Sequence, residues 1–555
     1  MQLSKKQKLI LLLGLLGVYG LAWFLQSEFL LPPDDLWLTQ LADIVLHGGN
    51  YVSNFFETTP PMAIFIYAPE IYIEKIFSVT RITGLLVYTF FCATILLSIS
   101  YLLIKKILSD SHGNLFVVIL LSLSSIFLVL PLTAFAQREH FFLMLTTPYF
   151  LLLVCRLENK KINMTFALLI GTLGAIGFFI KPFFIIMFIA LELYAAFISF
   201  AEKSGKKYYI NPEAMTVFLF LVIYLIAIYA FFNAYLSTVV PIALRFYYES
   251  FRATWGDCLM QTPLISCFLS YLIFFVFYKR NPLKRLSAIL ILVLTGDMIV
   301  YFIQSIPWYY HLFPAFAISI FFNIFMLVVC IENNYPRSVL LNFAAALFLF
   351  ISPLYCMLIL YGVGASQKKA YQSLSCFLHK TEFHQPVYIL SAYPADFISA
   401  VSNANAYNRT RFEFLLWMRS YSKHQFLSKL SGQQKKDADH LTGWVANDLN
   451  QQKPKLIFVD TYCGLLNNGT KVCIDYLNFL TKNKNFLLAW RQYHFLMAIK
   501  KKGGYQFDVY ERNDVPAAVF PIISPSCNVF LVCNKEFHRT ALCSHNKITV
   551  EPNLK

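Results

Sequence analysis

The feature that most constrains this chain is its series of long apolar runs. A membrane-spanning helix needs about 20 apolar residues. Eleven segments of the chain approach this length, although several are short. They fall near 9–25, 82–104, 115–133, 141–155, 165–180, 183–200, 215–235, 263–278, 286–303, 312–331 and 338–361. Because 58% of the 555 residues are hydrophobic and only 14% are charged, the pattern predicts a polytopic α-helical membrane protein with about eleven transmembrane helices.

Basic residues predict the orientation of these spans. With the N-terminus in the cytoplasm, every basic cluster falls in a cytoplasmic segment: Lys5, Lys6, Lys8, Lys105, Lys106, Arg156, Lys160, Lys161, Lys203, Lys206, Lys207, Lys279, Arg280, Lys284, Arg285 and Arg337. The outer segments carry only single basic residues: Lys75, Arg81, Arg138, Lys181, Arg245 and Arg252. No small-residue cleavage site precedes Pro32, so we expect the first span to be uncleaved. Because successive spans cross the membrane in opposite directions, the same orientation places the C-terminal region outside.

The composition changes near residue 364, which divides the chain into two predicted domains. Residues 1–364 form a transmembrane domain whose first outer loop spans 26–81, and 365–555 form an outer α/β domain. In the second domain the strand-like segments 386–390 and 455–460 alternate with helical patterns at 412–421 and 440–449, and a further strand pattern includes "YQFDVYER". Its six cysteines suggest disulfides in an oxidising compartment: Cys376, Cys463, Cys473, Cys527, Cys533 and Cys543.

The C-terminal domain carries most of the net charge of +16. Residues 365–555 contain 24 Lys and Arg against 13 Asp and Glu. A basic domain beside a membrane favours anionic membrane lipids or anionic glycans as neighbours. Nucleic acid is not expected as a partner, because no nucleic-acid-binding motif accompanies the charge.

Two adjacent carboxylates, Asp34 and Asp35, follow the first span. A helical pattern over 36–47 comes directly after them, and we expect this short helix to lie along the outer surface. One aspartate can serve as its N-cap, for which Asp35 is the better placed. The second then needs another role, and a carboxylate at the membrane edge can act as a general base or bind a cation. We therefore expect Asp34 to be the base.

Further polar residues lie in segments predicted to be on the same outer face. Glu57 precedes Pro60-Pro61 in the first outer loop and is either a solvated loop residue or a partner of Asp34 and Asp35. Four consecutive polar residues interrupt apolar sequence at 137–140, where an interfacial Arg–Glu pair and an anion site are the two alternatives. Lys181, before Pro182, is either a lysine that snorkels at the membrane edge or a phosphate contact. The remaining candidates for contact with a phosphate or sugar are Gln137, Arg138, His140, Gln304 and His311.

These segments together resemble the GT-C superfamily of integral-membrane glycosyltransferases, particularly bacterial members of the dolichyl-phosphate-mannose-transferase or arabinosyltransferase type. The resemblance rests on the first span, "DDLWLTQLADIVLHGGNYVSNFFETTPP", "AFAQREHFF", "FFIKPFF", "IQSIPWYYHLFPA" and an outer α/β domain. It covers most of the chain. The acidic pair alone is a weak motif, and its combination with the predicted topology is more specific.

The resemblance implies a multi-pass protein of the bacterial inner membrane. It would transfer a hexosyl or pentosyl group from a polyprenyl-phosphate donor to an envelope glycan or lipid, such as lipopolysaccharide, at the periplasmic face. Asp34, with Asp35 beside it, would match the catalytic aspartate, and Glu57 the acidic residue of the loop. Arg138 and Lys181 would contact the donor phosphate. Some relatives use a divalent cation, so Mg²⁺ or Mn²⁺ at Asp34 and Asp35 stays open.

Two other classes of function compete with this one. A transporter or flippase of lipid-linked saccharides would need a continuous polar path through the membrane, whereas the polar clusters here fall on one face. A non-catalytic assembly protein could use the basic outer domain to bind glycan. No P-loop or GxGxxG motif indicates a soluble nucleotide substrate.

Overall fold

The structure is a computed structural model. It describes residues 3–28, 32–108, 112–201, 211–333, 354, 357–362, 374, 378, 386–392, 397–403, 407–408, 410–418, 431–461, 464–465, 471–500, 506–514 and 530–532. Most of the predicted span at 338–361 lies outside these residues, as does part of the predicted cytoplasmic basic set. Five of the six C-terminal cysteines also lie outside them, whereas Cys473 is described and is disulfide-bonded.

Long apolar helices form the membrane region. Its helices are α1 (Lys5–Glu28), α2 (Pro33–Leu46), α3 (Pro61–Phe65), α4 (Ala68–Phe77), α5 (Arg81–Ile107), α6 (Gly113–Leu128), α7 (Arg138–Leu157), α8 (Met164–Phe179), α9 (Ile185–Ala201), α10 (Pro212–Phe231), α11 (Val240–Phe251), α12 (Trp255–Leu259), α13 (Leu264–Phe277), α14 (Lys284–Gln304) and α15 (Tyr309–Glu332). Ten of the eleven predicted spans coincide with helices of this set. Seven described helices are long and apolar enough to cross a membrane, and α6, α8 and α13 are shorter apolar helices. The chain is therefore an integral membrane protein.

The helix predicted at 36–47 begins earlier than expected, and this changes the interpretation of the acidic pair. Its first residue is Pro33 and its N-cap is Pro32, with no side-chain capping bond. Proline suits the first helical turn because its missing N–H would be unpaired there. Asp34 and Asp35 thus lie inside the first turn, where the helix dipole favours acids. The expectation that Asp35 caps the helix is wrong.

The helix α2 packs against other helices of the protein along much of its length. Most of its residues from Asp35 to Ala42 are buried, including Trp37 and Leu41. It packs against α3 and α4 of the same loop and against a helix of the C-terminal region. The first outer loop therefore consists of packed helices, and this packing fixes the position of the first turn of α2, which carries Asp34 and Asp35.

The C-terminal region contains the expected mixed α/β fold. Its strands are β1 (Pro386–Leu390), β2 (Tyr407–Asn408), β3 (Leu456–Asp460), β4 (Gly464–Leu465), β5 (Lys471–Val472), β6 (Tyr493–Lys500), β7 (Gln506–Arg512) and β8 (Phe530–Val532). The main sheet has the order β2-β1-β3-β7-β6-β8, with β1 parallel to β2 and β3 and the other pairs antiparallel. The helices are α16 (Phe397–Asn403), α17 (Gly432–Gln452), α18 (Tyr476–Leu480) and α19 (Lys484–Trp490).

The helical pattern predicted at 412–421 is mostly wrong within its described part. Only 416–418 are helical, and 410–415 run in an irregular path beside the first outer loop. The Phe56 amide donates to the Arg411 carbonyl oxygen, and Phe56 forms an isolated bridge with Phe412. The contact between 410–415 and the first outer loop overrides the local helix propensity, because it buries aromatic side chains of both domains.

Candidate functional site

Polar residues singled out in the sequence lie at helix ends on one side of the bundle. Asp34 is in the first turn of α2, Arg138 in the first turn of α7, and Lys181 in the break between α8 and α9. Gln304 ends α14 and His311 lies in the first turn of α15. Helices that alternate in direction bring these ends together, so residues far apart in sequence meet.

Asp34 and Arg138 form an ion pair at this site. Arg138 Nη2 donates to Asp34 Oδ2 at 2.7 Å, and the Arg138 side chain is 8% exposed. Charge-assisted bonds of this kind are strong and directional. The alternative of an interfacial Arg138–Glu139 pair is wrong, because both residues are buried and each pairs with a different partner.

Asp35 is buried in the protein and has a different partner from Asp34. It is fully buried, its Oδ1 lies 3.2 Å from the Tyr67 hydroxyl, and its Oδ2 has no hydrogen-bond partner among the described residues. Burial, together with the neighbouring Asp34 carboxyl, raises the pKa of Asp35. The structure therefore separates the two aspartates, which the sequence could not distinguish beyond the choice of cap.

Glu57 and Asp34 line the same cavity. This favours the interpretation of Glu57 as a partner of the acidic pair. Its carboxylate accepts from Trp37 Nε1 at 2.9 Å and from the Thr59 amide at 2.8 Å. Burial raises the pKa of Glu57, although the Arg138 guanidinium opposes this shift. Glu57 is thus a fixed, buried carboxyl group and not a solvated loop residue.

A second buried ion pair joins Lys181 to Glu139. Lys181 Nζ donates to Glu139 Oε1 and lies 3.4 Å from Gln304 Oε1. His311 Nε2 is 4.0 Å from Glu139 Oε1, and neither His311 ring nitrogen has a hydrogen-bond partner among the described residues. Lys181, His311 and Gln304 therefore form a buried polar cluster beside Arg138.

Two adjoining cavities open between these groups. The smaller, of about 50 Å³, is lined by Asp34, Trp37, Leu38, Phe56, Glu57, Thr58, Arg138, Tyr247, Trp308, Glu413, Phe414 and Leu416. The larger, of about 300 Å³, is lined by Thr58, Thr59, Pro60, Arg138, Lys181, Pro182, Phe183, Tyr235, Val240, Ala243, Leu244, Tyr247, Gln304, Ile306 and His311. Thr58, Arg138 and Tyr247 line both. Carboxyl groups face the smaller cavity, whereas basic groups and an apolar wall face the larger one.

Two candidate residues do not reach either cavity. His140 Nδ1 accepts from the Ala136 amide at 3.1 Å, and Nε2 lies 2.7 Å from the Phe127 carbonyl oxygen. With both ring nitrogens engaged by backbone, His140 holds the turn before α7, so its expected place in a phosphate site is wrong. Gln137 is the N-cap residue of α7 and is 1% exposed, and it is absent from both cavity walls.

Sequence reasoning missed Glu413. This residue lies in the C-terminal region and lines the smaller cavity with Asp34 and Glu57. Burial and the carboxyls of Asp34 and Glu57 raise the pKa of Glu413. Nothing local in the sequence marks it, because "FEFLLW" suggests an amphipathic helix.

The arrangement does not fit a metal ion shared by Asp34 and Asp35. Asp34 binds Arg138, whereas Asp35 faces Tyr67, so the two carboxylates do not converge on one point. Within the described part of the chain, no group of three or more His, Cys, Asp or Glu is placed to hold a metal ion. The described residues therefore do not form a shared Mg²⁺ or Mn²⁺ site at Asp34 and Asp35.

Comparison with known proteins gives structural likeness without sequence likeness. No family model matches the sequence, and no curated protein matches it. ArnT from Cupriavidus metallidurans, in a crystal structure with undecaprenyl phosphate bound, superposes with a TM-score of 0.51 at 8% identity, covering 90% of this chain and 97% of ArnT. The apo oligosaccharyltransferase of Archaeoglobus fulgidus gives a TM-score of 0.45 at 12% identity, covering 95% of this chain and 76% of that one.

At such low identity, the match to ArnT concerns the fold and not the activity. The chain therefore has the predicted fold, a bundle of membrane-spanning helices followed by a small mixed α/β region.

Proposed function

We propose that this protein is a glycosyltransferase that moves a sugar from a polyprenyl-phosphate donor to an acceptor of the bacterial cell envelope. One observation carries the proposal: a carboxyl-lined cavity and a basic, partly apolar cavity meet at Arg138. The reaction needs these two environments side by side, one for a base and an acceptor and the other for a lipid phosphate. The GT-C-like fold is consistent with it.

The larger cavity suits the donor. Lys181 and Arg138 supply positive charge for a phosphate, and His311 offers two ring nitrogens that have no partner among the described residues. The wall formed by Phe183, Val240 and other apolar side chains matches a prenyl chain. Undecaprenyl phosphate, the ligand bound in the ArnT structure, has this combination of charged head and apolar tail.

The smaller cavity suits the acceptor, with Asp34 as general base. In the proposed step, the acceptor O–H gives its proton to the Asp34 carboxylate, while the oxygen bonds to the anomeric carbon. The bond from that carbon to the phosphate oxygen breaks, and its electrons leave with the polyprenyl phosphate. Arg138 and Lys181 stabilise the charge that develops there. Asp35 is left out of this step, because it faces Tyr67.

Two corollaries follow. A single displacement inverts the anomeric centre, so product of the retained configuration would contradict the mechanism. We also place the site on the periplasmic face of an inner membrane, with the N-terminus cytoplasmic. The disulfide at Cys473 supports an oxidising compartment for the C-terminal region.

The test uses purified protein with radiolabelled polyprenyl-phosphate sugars and bacterial envelope extract. Wild type should transfer label, and Asp34→Asn should not. A flippase would instead move labelled donor across a vesicle membrane and would tolerate Asp34→Asn. Movement of donor without any transfer would therefore overturn the proposal in favour of a transporter.

A further inference from the structure

The C-terminal region places Glu413 in the smaller cavity, where the proposed reaction so far gives it no role. We propose that Glu413 is an acceptor-binding residue that holds the acceptor against Asp34, and that the acceptor group is a sugar hydroxyl rather than a phosphate. This inference rests on the proposed glycosyl transfer and specifies the acceptor side of the same site.

The segment that carries Glu413 is firmly anchored to the first outer loop. Arg411 Nη1 donates to the Val52 carbonyl oxygen at 2.7 Å, and the same guanidinium binds the Asp448 carboxylate of α17. The next residue, Phe412, packs against Phe56 with 5.6 Å between ring centroids. Because both preceding residues are held, Glu413 is presented to the cavity from a rigid support, as a binding group requires.

The Glu413 carboxyl group has a hydrogen-bond contact with Asp34, and this leaves one of its two oxygens unused. Its Oε1 is buried and has no hydrogen-bond partner among the described residues. Burying a polar atom in this state costs free energy that a ligand bond can recover. Arg138 Nε, in a guanidinium that also lines this cavity, is buried and equally without a partner within the described residues. The cavity therefore has polar atoms ready for a ligand.

Charge divides the two substrates between the two cavities. Asp34, Glu57 and Glu413 face the smaller cavity, and the guanidinium of Arg138 is already engaged with Asp34 there. A phosphate would meet this carboxyl cluster, whereas the larger cavity offers it basic groups. A neutral hydroxyl can donate to a carboxyl group and meets no such repulsion.

The size and rim of the smaller cavity fit a sugar hydroxyl. Its volume of about 50 Å³ accommodates a hydroxyl group but not a whole sugar ring. Trp308, Phe414 and Tyr247 supply aromatic walls against which the rest of a sugar can lie. In this arrangement Asp34 takes the proton of the attacking hydroxyl, and Glu413 binds the acceptor without joining the covalent step.

The experiment compares Glu413→Ala and Glu413→Asp with Asp439→Ala, which removes an exposed acid of α17 away from both cavities. Thermal unfolding is measured for each variant. Radiolabelled undecaprenyl-phosphate sugars then report two activities: hydrolysis of the donor without acceptor, and transfer as envelope extract is titrated. Glu413→Ala should need about 10- to 100-fold more extract for half-maximal transfer, the loss expected for a hydrogen bond to a charged group. Glu413→Asp should fall between it and wild type.

Donor hydrolysis and the unfolding temperature distinguish acceptor binding from a structural role. Glu413→Ala should lose less of its unfolding temperature and donor hydrolysis than of its transfer at low extract concentration, because Oε1 has no partner among the described residues and is left for the acceptor. Unchanged half-saturation would overturn the inference, as would parallel loss of hydrolysis and stability. If Glu413→Ala does not fold, Glu413→Asp provides the test. The inference is overturned if Glu413→Asp reaches half-maximal transfer at the same extract concentration as wild type.

Mild acid treatment of the product tests the acceptor class, since a glycosyl phosphate is more acid-labile than a glycoside. Label that stays bound supports a hydroxyl acceptor, and label that is released overturns it. If wild type neither hydrolyses the donor nor transfers label, the proposed function itself is contradicted.

Discussion

Arg138 Nη2 lies 2.7 Å from Asp34 Oδ2 and joins α7 to α2 at the boundary between the two cavities. Arg138 Nε is buried and has no hydrogen-bond partner in the described part of the chain. The guanidinium is a planar fork with five donors, so one edge can hold Asp34 while another binds a phosphate oxygen. In the proposed reaction, the Arg138 side chain thus couples Asp34 to the donor.

Arg138→Lys should retain the charge and lose this geometry. An ammonium group cannot hold Asp34 and present a second fixed donor together, so we expect kcat/KM for transfer to fall about 10²- to 10³-fold. The matched control is Arg252→Lys, at an exposed arginine that lines neither cavity. Equal activity of Arg138→Lys and wild type would show that only the charge matters.

The Lys181–Glu139 pair should respond differently to single and double substitution. Lys181→Met leaves Glu139 buried without its partner, which should lower the free energy of unfolding by about 3–5 kcal/mol. The double variant Lys181→Met/Glu139→Gln should recover most of this stability, because no buried charge is left alone. It should still fail to bind undecaprenyl phosphate. Restored binding would contradict the role of Lys181 in the donor site.

Two buried histidines should separate stability from ligand binding. His140 is held by backbone groups through both ring nitrogens, so His140→Ala should lower the unfolding temperature. His311 faces the larger cavity with neither nitrogen bonded to a described residue, so His311→Ala should weaken undecaprenyl phosphate binding at nearly unchanged stability. The reverse pattern, measured by unfolding and binding assays, would contradict the assignment.

Glu70 should make stability depend on pH. This residue of α4 is fully buried, and neither carboxyl oxygen has a hydrogen-bond partner among the described residues. Burial raises the pKa of Glu70 from 4.5 to about 8, although Arg81 opposes the shift. The folded state therefore binds the proton more tightly, and the penalty for ionisation grows as pH rises from about 4.5 to 8.

Glu70→Gln removes that penalty. Its unfolding temperature should match wild type near pH 4.5 and exceed it increasingly up to pH 8. Glu74→Gln, on the same helix and paired with Arg81 at 3.2 Å, is the control and should show no such increase. A constant difference across this pH range would indicate a packing effect without titration.

The helices were largely predictable from the sequence because each span depends on its own hydrophobicity. Ten predicted spans coincide with helices, and the basic residues suggested that Arg138, Lys181 and His311 face one side. In the C-terminal region, the strand patterns at 386–390 and 455–460 correspond to β1 and β3. These signals are local and survive folding.

The different environments of the site residues were not predictable, because they depend on contacts between segments that are distant in sequence. Asp34 and Asp35 are neighbours in sequence, and only the packing of α2 against Tyr67 separates their environments. Glu413 belongs to a segment whose pattern suggests a helix, and docking on Phe56 gives it another conformation. The sequence made His140 a candidate for phosphate contact, whereas both of its ring nitrogens contact backbone atoms, those of Ala136 and Phe127.

The most direct test replaces the proposed base alone. Asp34→Asn keeps an oxygen that can accept from Arg138 but cannot take a proton, and Asp439→Asn is the exposed control. With radiolabelled polyprenyl-phosphate sugar and envelope extract, we expect Asp34→Asn to lose transfer by about 10²- to 10⁴-fold, while undecaprenyl phosphate binding persists. Transfer by Asp34→Asn at the wild-type rate would contradict the assignment of Asp34 as the base.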